Sequence, residues 1–369
     1  MGVKSVDAKE EIREAVKRKQ HPEFDEELRK ILESKRAEIK VIGVGGAGGN
    51  TISRMTQIGI VGAETIAMNT DAQDLLYTDA DTKVLIGKEL TGGLGAGADP
   101  KIGSEAAKES KEDIKKTLEG ADMVFVTCGL GGGTGTGAAP IIADIAKKTG
   151  ALTVGVVTLP FTMEGKQRAR NAQDGLEGLQ TIADTLIIIP NDKLLEIVPD
   201  VSITTAFKVA DEILVNSVKG ITELVTKPGL VNLDFADVRA VMGAGGLAMI
   251  GMGESDTENR ALESVEKSLN NPLLDVSIEG ATGALINVAG GEDITIKECQ
   301  EIVEAVTTKL NPDAKIIWGA QIVKELGDTI RAMLIITGVK TPHLFGIEKR
   351  ITTAKQKEIE RVLGIDFVE

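Results

Sequence analysis

Residues 129 to 137, Gly-Leu-Gly-Gly-Gly-Thr-Gly-Thr-Gly, place six glycines and two threonines in nine positions, directly after the apolar run Met123 to Cys128. Without a Cβ the chain can take positive φ and aim successive N–H groups at one object, and the hydroxyls of Thr134 and Thr136 add donors to the same concavity. The object that suits such a loop is a polyphosphate. The segment Ala138 to Lys148 reads as a helix with Pro140 in its first turn, so its positive end faces the same phosphates. Linker glycines are not usually wedged between a buried strand and a helix, which argues against a flexible surface loop.

Two further glycine-rich loops narrow the ligand class. Gly43-Val-Gly-Gly-Ala-Gly-Gly-Asn50 follows a strand candidate, and Gly92-Gly-Leu-Gly-Ala-Gly-Ala-Asp-Pro100 lies between them in sequence. The first matches GxGxxG, yet a dinucleotide enzyme adds an acidic residue at the end of the next strand, which Asp71 fits only loosely, and has no use for the loop at 129 to 137. No GxxxxGK[ST] occurs. The phosphates must then be held without a P-loop lysine, by backbone nests and helix N-termini, with Mg2+ supplying positive charge. No protein side chain is assigned to the metal.

The elements that position these loops alternate in type. Strand candidates at 39–44, 65–69, 83–86, 123–128, 152–159 and 185–189 are separated by amphipathic stretches, the pattern of a doubly wound parallel sheet whose ligand loops gather along one edge. From Ile203 to Thr226 apolar residues recur at helical spacing for over six turns, before Lys227-Pro228-Gly229. At ~1.5 Å per residue this helix spans roughly 35 Å, the depth of a domain. Strand candidates at 247–251, 283–288, 315–318 and 331–338, with helices at 258–269 and 296–310, suggest a second, α+β domain. The expected division is 1–37, a charged helical extension; 38–202, a nucleotide domain; 203–227, the central helix; 228–339, the α+β domain; and 340–369, a tail.

Composition excludes other classes. The formal charge of −14 leaves no concentrated basic surface for nucleic acid, and aromatics at 2% leave few stacking platforms. Neither a bilayer-spanning run nor an apolar leader core is evident, so a cytoplasmic protein without membrane insertion is expected. The isolated Cys128 and Cys299 read as core thiols.

The motifs are similar to those of the FtsZ family, the tubulin-like prokaryotic division GTPases. Gly129 to Gly137 resembles the tubulin-type signature GGGTGTG, and it is joined by 41–50 (Val-Ile-Gly-Val-Gly-Gly-Ala-Gly-Gly-Asn), Asn69-Thr-Asp-Ala-Gln73, Gly93-Leu-Gly-Ala-Gly-Ala-Asp-Pro100, Pro160 to Arg168, Ile189-Pro-Asn-Asp-Lys-Leu194 and Asn232-Leu-Asp-Phe-Ala-Asp237. They run in order over residues 38 to 339, and the charged extension and short tail resemble archaeal members. Asp99 stands where the family usually has Asn, and Leu159 where many members have Lys.

The resemblance implies a Rossmann-type GTPase domain joined by the central helix to a smaller α+β domain. It places Gly45, Gly46, Ala47, Asn50, Gly97, Gly132, Gly133, Thr134, Gly135 and Thr136 around the phosphates of GTP or GDP, with Asn69 and Asp71 at the strand edge. Glu164 and Arg168 would contact the ribose, and they also suit a plain i,i+4 ion pair. Asn191 and Asp211 would read guanine, with Phe207 as a wall. Mg2+ is implied through the phosphates, with K+ as a second candidate cation.

The phosphate loops contain no His or Lys, and His21 and His343 fall outside the core pattern. By resemblance Asn232, Asp234 and Asp237 polarise the attacking water, and Asp234 also suits a helix N-cap. Asp211 lies about 15 residues before the end of the central helix, roughly 23 Å at helical rise, so the aspartates should serve a neighbouring subunit's nucleotide. A head-to-tail contact of that kind builds a filament, here the division ring at mid-cell. A membrane-tethering adaptor reading Leu363 to Val368 is expected as a partner, although that terminal peptide also suits a packed C-terminus. A Rossmann dehydrogenase and a non-hydrolysing nucleotide-binding regulator are the competing readings.

Overall fold

The computed structural model describes residues 37–339, apart from 198–201, 227–230, 232–233, 244, 275–277 and 279–280. The expected N-terminal extension and C-terminal tail lie outside the described residues, apart from Ala37, and so does Asn232.

Runs rich in Val, Ile and Thr form the strands. In the first half these are β1 (Ile39–Val44), β2 (Ala63–Asn69), β3 (Thr82–Leu85), β4 (Met123–Gly129), β5 (Leu152–Leu159) and β6 (Thr185–Pro190). All eight residues of β5 are buried, as a parallel strand covered by helices on both faces requires. Beyond them come β7 (Gly246–Ser255), β8 (Gly283–Gly290), β9 (Lys315–Ile322) and β10 (Ile330–Thr337). All ten join one sheet in the order β3-β2-β1-β4-β5-β6-β7-β10-β8-β9. The run from β3 to β7 is parallel, with β6 meeting β7 through Thr185–Ile187 and Gly246–Ala248. Only β10 runs against its neighbours.

The helices are α1 (Gly45–Ile58), α2 (Ala72–Tyr77), α3 (Pro100–Glu109), α4 (Lys111–Leu118), α5 (Thr134–Lys148), α6 (Lys166–Ile182), α7 (Asn191–Ile197), α8 (Ile203–Thr226), α9 (Phe235–Met242), α10 (Arg260–Leu269) and α11 (Ile296–Thr307), with a one-turn helix at Lys88–Thr91. Although the sheet is continuous, the apolar interior of the described residues includes two distinct centres. One gathers Ile42, Val126, Ile142 and Leu179, and the other Val265, Ile286, Ile302 and Leu334, while half-buried Leu247 packs against both. The long helix α8 runs over the span its periodicity indicates. Leu159, where the family often has Lys, is 4% exposed and belongs to the first centre. Among the described residues no helix is long and apolar enough to cross a membrane.

Candidate functional site

The glycine segments converge at the C-terminal edge of the parallel strands. Two of the three are largely helix starts, where the first N–H groups of a helix lack internal partners and point outwards. α1 already begins at Gly45, with φ 71°, and α5 begins at Thr134, four residues before the expected start. The reason is that the Gly137 N–H already donates to the Gly133 carbonyl at 3.0 Å. Pro140 therefore lies inside α5 and not in its first turn.

Close backbone approach explains the glycines. A Cβ on Gly45 would stand 3.0 Å from the Gly135 nitrogen, one on Gly48 2.7 Å from the Thr127 carbonyl oxygen, and one on Gly103 2.4 Å from the Gly133 carbonyl oxygen. A Cβ on Gly133 would stand 2.9 Å from the Asp99 nitrogen, which brings the second segment against the third, so the three wall one cradle. Its floor is open: Gly46, Ala47, Asn50 and Gly97 are exposed, and no protein atom lies within 4 Å of the absent Cβ of Gly132. Thr134 offers its hydroxyl 2.6 Å from that of Thr70, whereas the Thr136 hydroxyl accepts from the Gly131 N–H at 2.9 Å and braces the turn from within.

The strand-edge residues hold the second wall. Asp71 caps α2 by accepting from the Gln73 and Asp74 N–H groups at 2.9 and 3.1 Å. Asn69 donates to the Asp74 carboxylate at 2.6 Å and accepts from the Thr70 N–H at 2.8 Å. The Gly95 N–H donates to the Thr70 carbonyl and the Ala72 N–H to the Gly93 carbonyl, which stitches the second loop to this turn. Asp99 caps α3 through the Lys101 N–H at 2.9 Å, a task the oxygen of an Asn performs equally.

A second cluster lies along α1 from the cradle. The Thr51 hydroxyl donates to Asp211 at 3.3 Å, and burial pushes the Asp211 carboxyl up to about 6, the Thr51 bond pulling it back. Asn191 is 5% exposed, and its Oδ1 has no hydrogen-bond partner among the described residues. Phe207 is 42% exposed and meets Phe161 edge-on at 5.3 Å between centroids. Glu164 accepts from the Phe161 N–H at 2.8 Å and pairs with Arg168 at 2.6 Å. A half-buried carboxylate, an unpartnered buried amide oxygen and a half-exposed ring suit an aromatic ligand rich in donors and acceptors, and the cradle suits its phosphates.

The downstream aspartates lie elsewhere. Asp234 caps α9 by accepting from the Asp237 N–H at 2.8 Å, and both aspartates are exposed. Arg239, on the same helix, donates to the carbonyl of Asp122 at 3.2 Å and approaches that of Gly150 at 3.5 Å. Its guanidinium also stands 5.1 Å from the centroid of the Phe235 ring. Asp122 and Gly150 precede β4 and β5, whereas the cradle follows them. The seven residues of β4 separate the two edges by about 20 Å at ~3.3 Å per residue. The structure therefore brings the cradle and base-side residues to one edge and sets Asp234 and Asp237 at the other. Sequence reasoning did not single out Thr51, Thr70, Asp74, Asn171 or Arg239; Thr70 lies inside the Asn69–Gln73 motif and Asp74 just after it, while Thr51, Asn171 and Arg239 stand in no motif and meet partners remote in the chain.

The fold and site define a tubulin-like GTPase: residues 38–199 match the model of the GTPase domain of the Tubulin/FtsZ family, and 246–340 that of the C-terminal domain of the FtsZ family. Cell division protein FtsZ 1 of Thermococcus kodakarensis is 62% identical over 94% of this chain and 92% of its own length. The namesake from Methanocaldococcus jannaschii is 60% identical over 91% of each. The solved structure of an empty FtsZ dimer from M. jannaschii aligns with a TM-score of 0.83 at 61% identity, over 86% of this chain and 93% of that one. CetZ2 of Haloferax volcanii, at 22% identity, shares the fold, with a TM-score of 0.72 over 89% of this chain and 99% of its own. The chain belongs to the FtsZ family of cell-division GTPases.

Proposed function

We propose that GTP lies along α1, its phosphates in the glycine cradle and its base between Asn191, Phe207 and Asp211, and that hydrolysis is completed by a second copy of the chain. Gly45, Gly46, Ala47, Asn50, Gly97, Gly132, Gly133, Thr134, Gly135 and Thr136 line the phosphates, and Asn69 and Asp71 shape the wall beside them. The Asp211 carboxylate accepts from the N1–H and N2–H2 of guanine, the Asn191 carboxamide NH2 donates to the O6 and N7 side, and Phe207 with Phe161 closes the pocket. Glu164 and Arg168 reach the ribose.

The carrying observation is that α9 is tied to the carbonyls of Asp122 and Gly150, on the edge opposite the cradle. Asp234 and Asp237 therefore cannot polarise water at their own subunit's γ-phosphate. They do so on the next subunit, the family resemblance adding Asn232 to the same role, and the repeated contact builds a polar filament. The description of the M. jannaschii relative as a dimer supports self-association. In this reading the protein acts in the cytoplasm at the division site, 38–202 binds nucleotide, α8 joins it to the domain at 228–339, and an adaptor reads the tail.

Mg2+ would be held through the phosphates in the open cradle, where Gly46, Ala47, Asn50 and Gly97 are exposed. Bound there, it neutralises charge on the phosphates. Asp237→Ala should lower turnover at least 100-fold while GTP binding stays within twofold of the parent, and turnover per parent subunit should rise with protein concentration. Loss of GTP binding in that variant, or turnover independent of concentration, defeats the shared-site reading.

A further inference from the structure

Asn171 stands on α6 three residues beyond Arg168 and is 6% exposed. Its carboxamide nitrogen donates to the Ala98 carbonyl at 3.3 Å and to the Gly131 carbonyl at 3.2 Å, while its oxygen accepts from the Gln167 carboxamide at 3.0 Å. Both N–H groups are thereby engaged, so the side chain has no donor left for a nucleotide. What it holds are two different walls of the cradle, Ala98 from the second glycine loop and Gly131 from the third.

Both acceptors sit in backbone states that need support. Ala98 has φ 61°, the only left-handed residue other than glycine among those described. Such a residue persists where its surroundings over-determine it. Gly131 has φ 107°, and a Cβ there would stand 3.1 Å from the Arg168 carbonyl oxygen, so α6 presses directly on the third loop. A Cβ on Gly175, one turn beyond Asn171, would similarly meet Thr136 at 2.6 Å.

We propose that Asn171 is a positioning residue that clips the second and third glycine loops together and so fixes the width of the phosphate cradle. This rests on the reading that these loops hold the phosphates of GTP. The base pocket, formed by Asn191, Phe207 and Asp211, does not use the clip. Loss of the clip should thus weaken binding through the phosphates and leave binding through the base intact. Damage spread through the domain would weaken both.

Asn171→Asp keeps the shape but turns a carboxylate oxygen towards two carbonyls, and Asn171→Ala removes the donors altogether. Equilibrium dialysis of each purified full-length variant with GTP and, separately, with guanosine is expected to show GTP affinity falling about tenfold, more for Asp, with guanosine affinity within twofold of the parent. Circular dichroism identifies the variants that are folded, and either one alone suffices. GTP affinity within twofold of the parent, or equal losses for GTP and guanosine, would overturn the proposal, as would loss of the folded state in both variants, since the clip is local to two loops. Failure of the parent itself to bind GTP more tightly than guanosine strikes instead at the reading of the phosphate site.

Discussion

Gly132 and Gly103 separate what the cradle needs for folding from what it needs for its ligand. An alanine Cβ at Gly132 meets no protein atom within 4 Å, and this glycine is not among those with positive φ. Gly132→Ala should therefore leave stability unchanged or raise it by about 0.5 kcal/mol through the less flexible unfolded chain. The same methyl enters the space assigned to the phosphates and should weaken GTP by about 1.4 to 4 kcal/mol, or roughly ten- to a thousandfold. Gly103→Ala has the opposite signature, since its Cβ would stand 2.4 Å from the Gly133 carbonyl oxygen, against backbone of Gly133 and Thr134 with no flexible end to move. Overpacking of that kind costs about 1–3 kcal/mol or more, read as a lower urea midpoint at constant m. Urea unfolding without nucleotide and equilibrium dialysis with GTP measure the two quantities independently. If Gly132→Ala binds GTP as tightly as the parent, the open floor is not where the phosphates lie.

Arg239→Gln removes a cation from two carbonyls and an aromatic ring; we expect turnover per assembled subunit to fall several-fold with GTP binding unchanged, and an unaltered turnover would show that the buried side of α9 suffices to place Asp237. Asp211 makes nucleotide binding and stability respond to pH in opposite directions. Protonation below about pH 6 removes an acceptor from the base pocket, so GTP affinity should drop there, and Asp211→Asn should abolish that dependence. In the nucleotide-free protein the folded state holds this proton more tightly than the unfolded chain, so the contribution of Asp211 to stability declines as pH rises from about 4 to about 6. Comparing the urea midpoints of parent and Asp211→Asn across that window tests the sign.

The strands β4, β5 and β6 were legible because each is a nearly continuous apolar or β-branched run between turn residues, and α8 because its periodicity persists over six turns. The three glycine segments were legible as places where bare backbone must come close, and the near contacts at Gly45, Gly133 and Gly135 are of that kind. Their conformation was less so. Six glycines in nine residues suggest a loop, yet α5 begins inside them at Thr134, because packing against α3 and β4 selects helical backbone where propensity opposes it. Asn171 and Arg239 were invisible for a different reason: each acts through backbone carbonyls, which any sequence supplies, so nothing at Ala98, Gly131, Asp122 or Gly150 announces a partner. Asp234 carried two readings at once, and it does cap a helix, while the distance between sheet edges turns the other reading towards a neighbour.

The separation of cradle and aspartates across the length of β4 also bears on counting. Subunits joined head to tail in this way form one fewer complete site than there are subunits, however long the row. The terminal subunit whose cradle faces solvent keeps its triphosphate until another chain arrives, so the two ends of a row differ chemically whichever of them was extended last. A single chain lacking Asp237 silences one neighbour and leaves its own cradle working. In mixtures, turnover should therefore fall in proportion to the fraction of defective chains and not with its square.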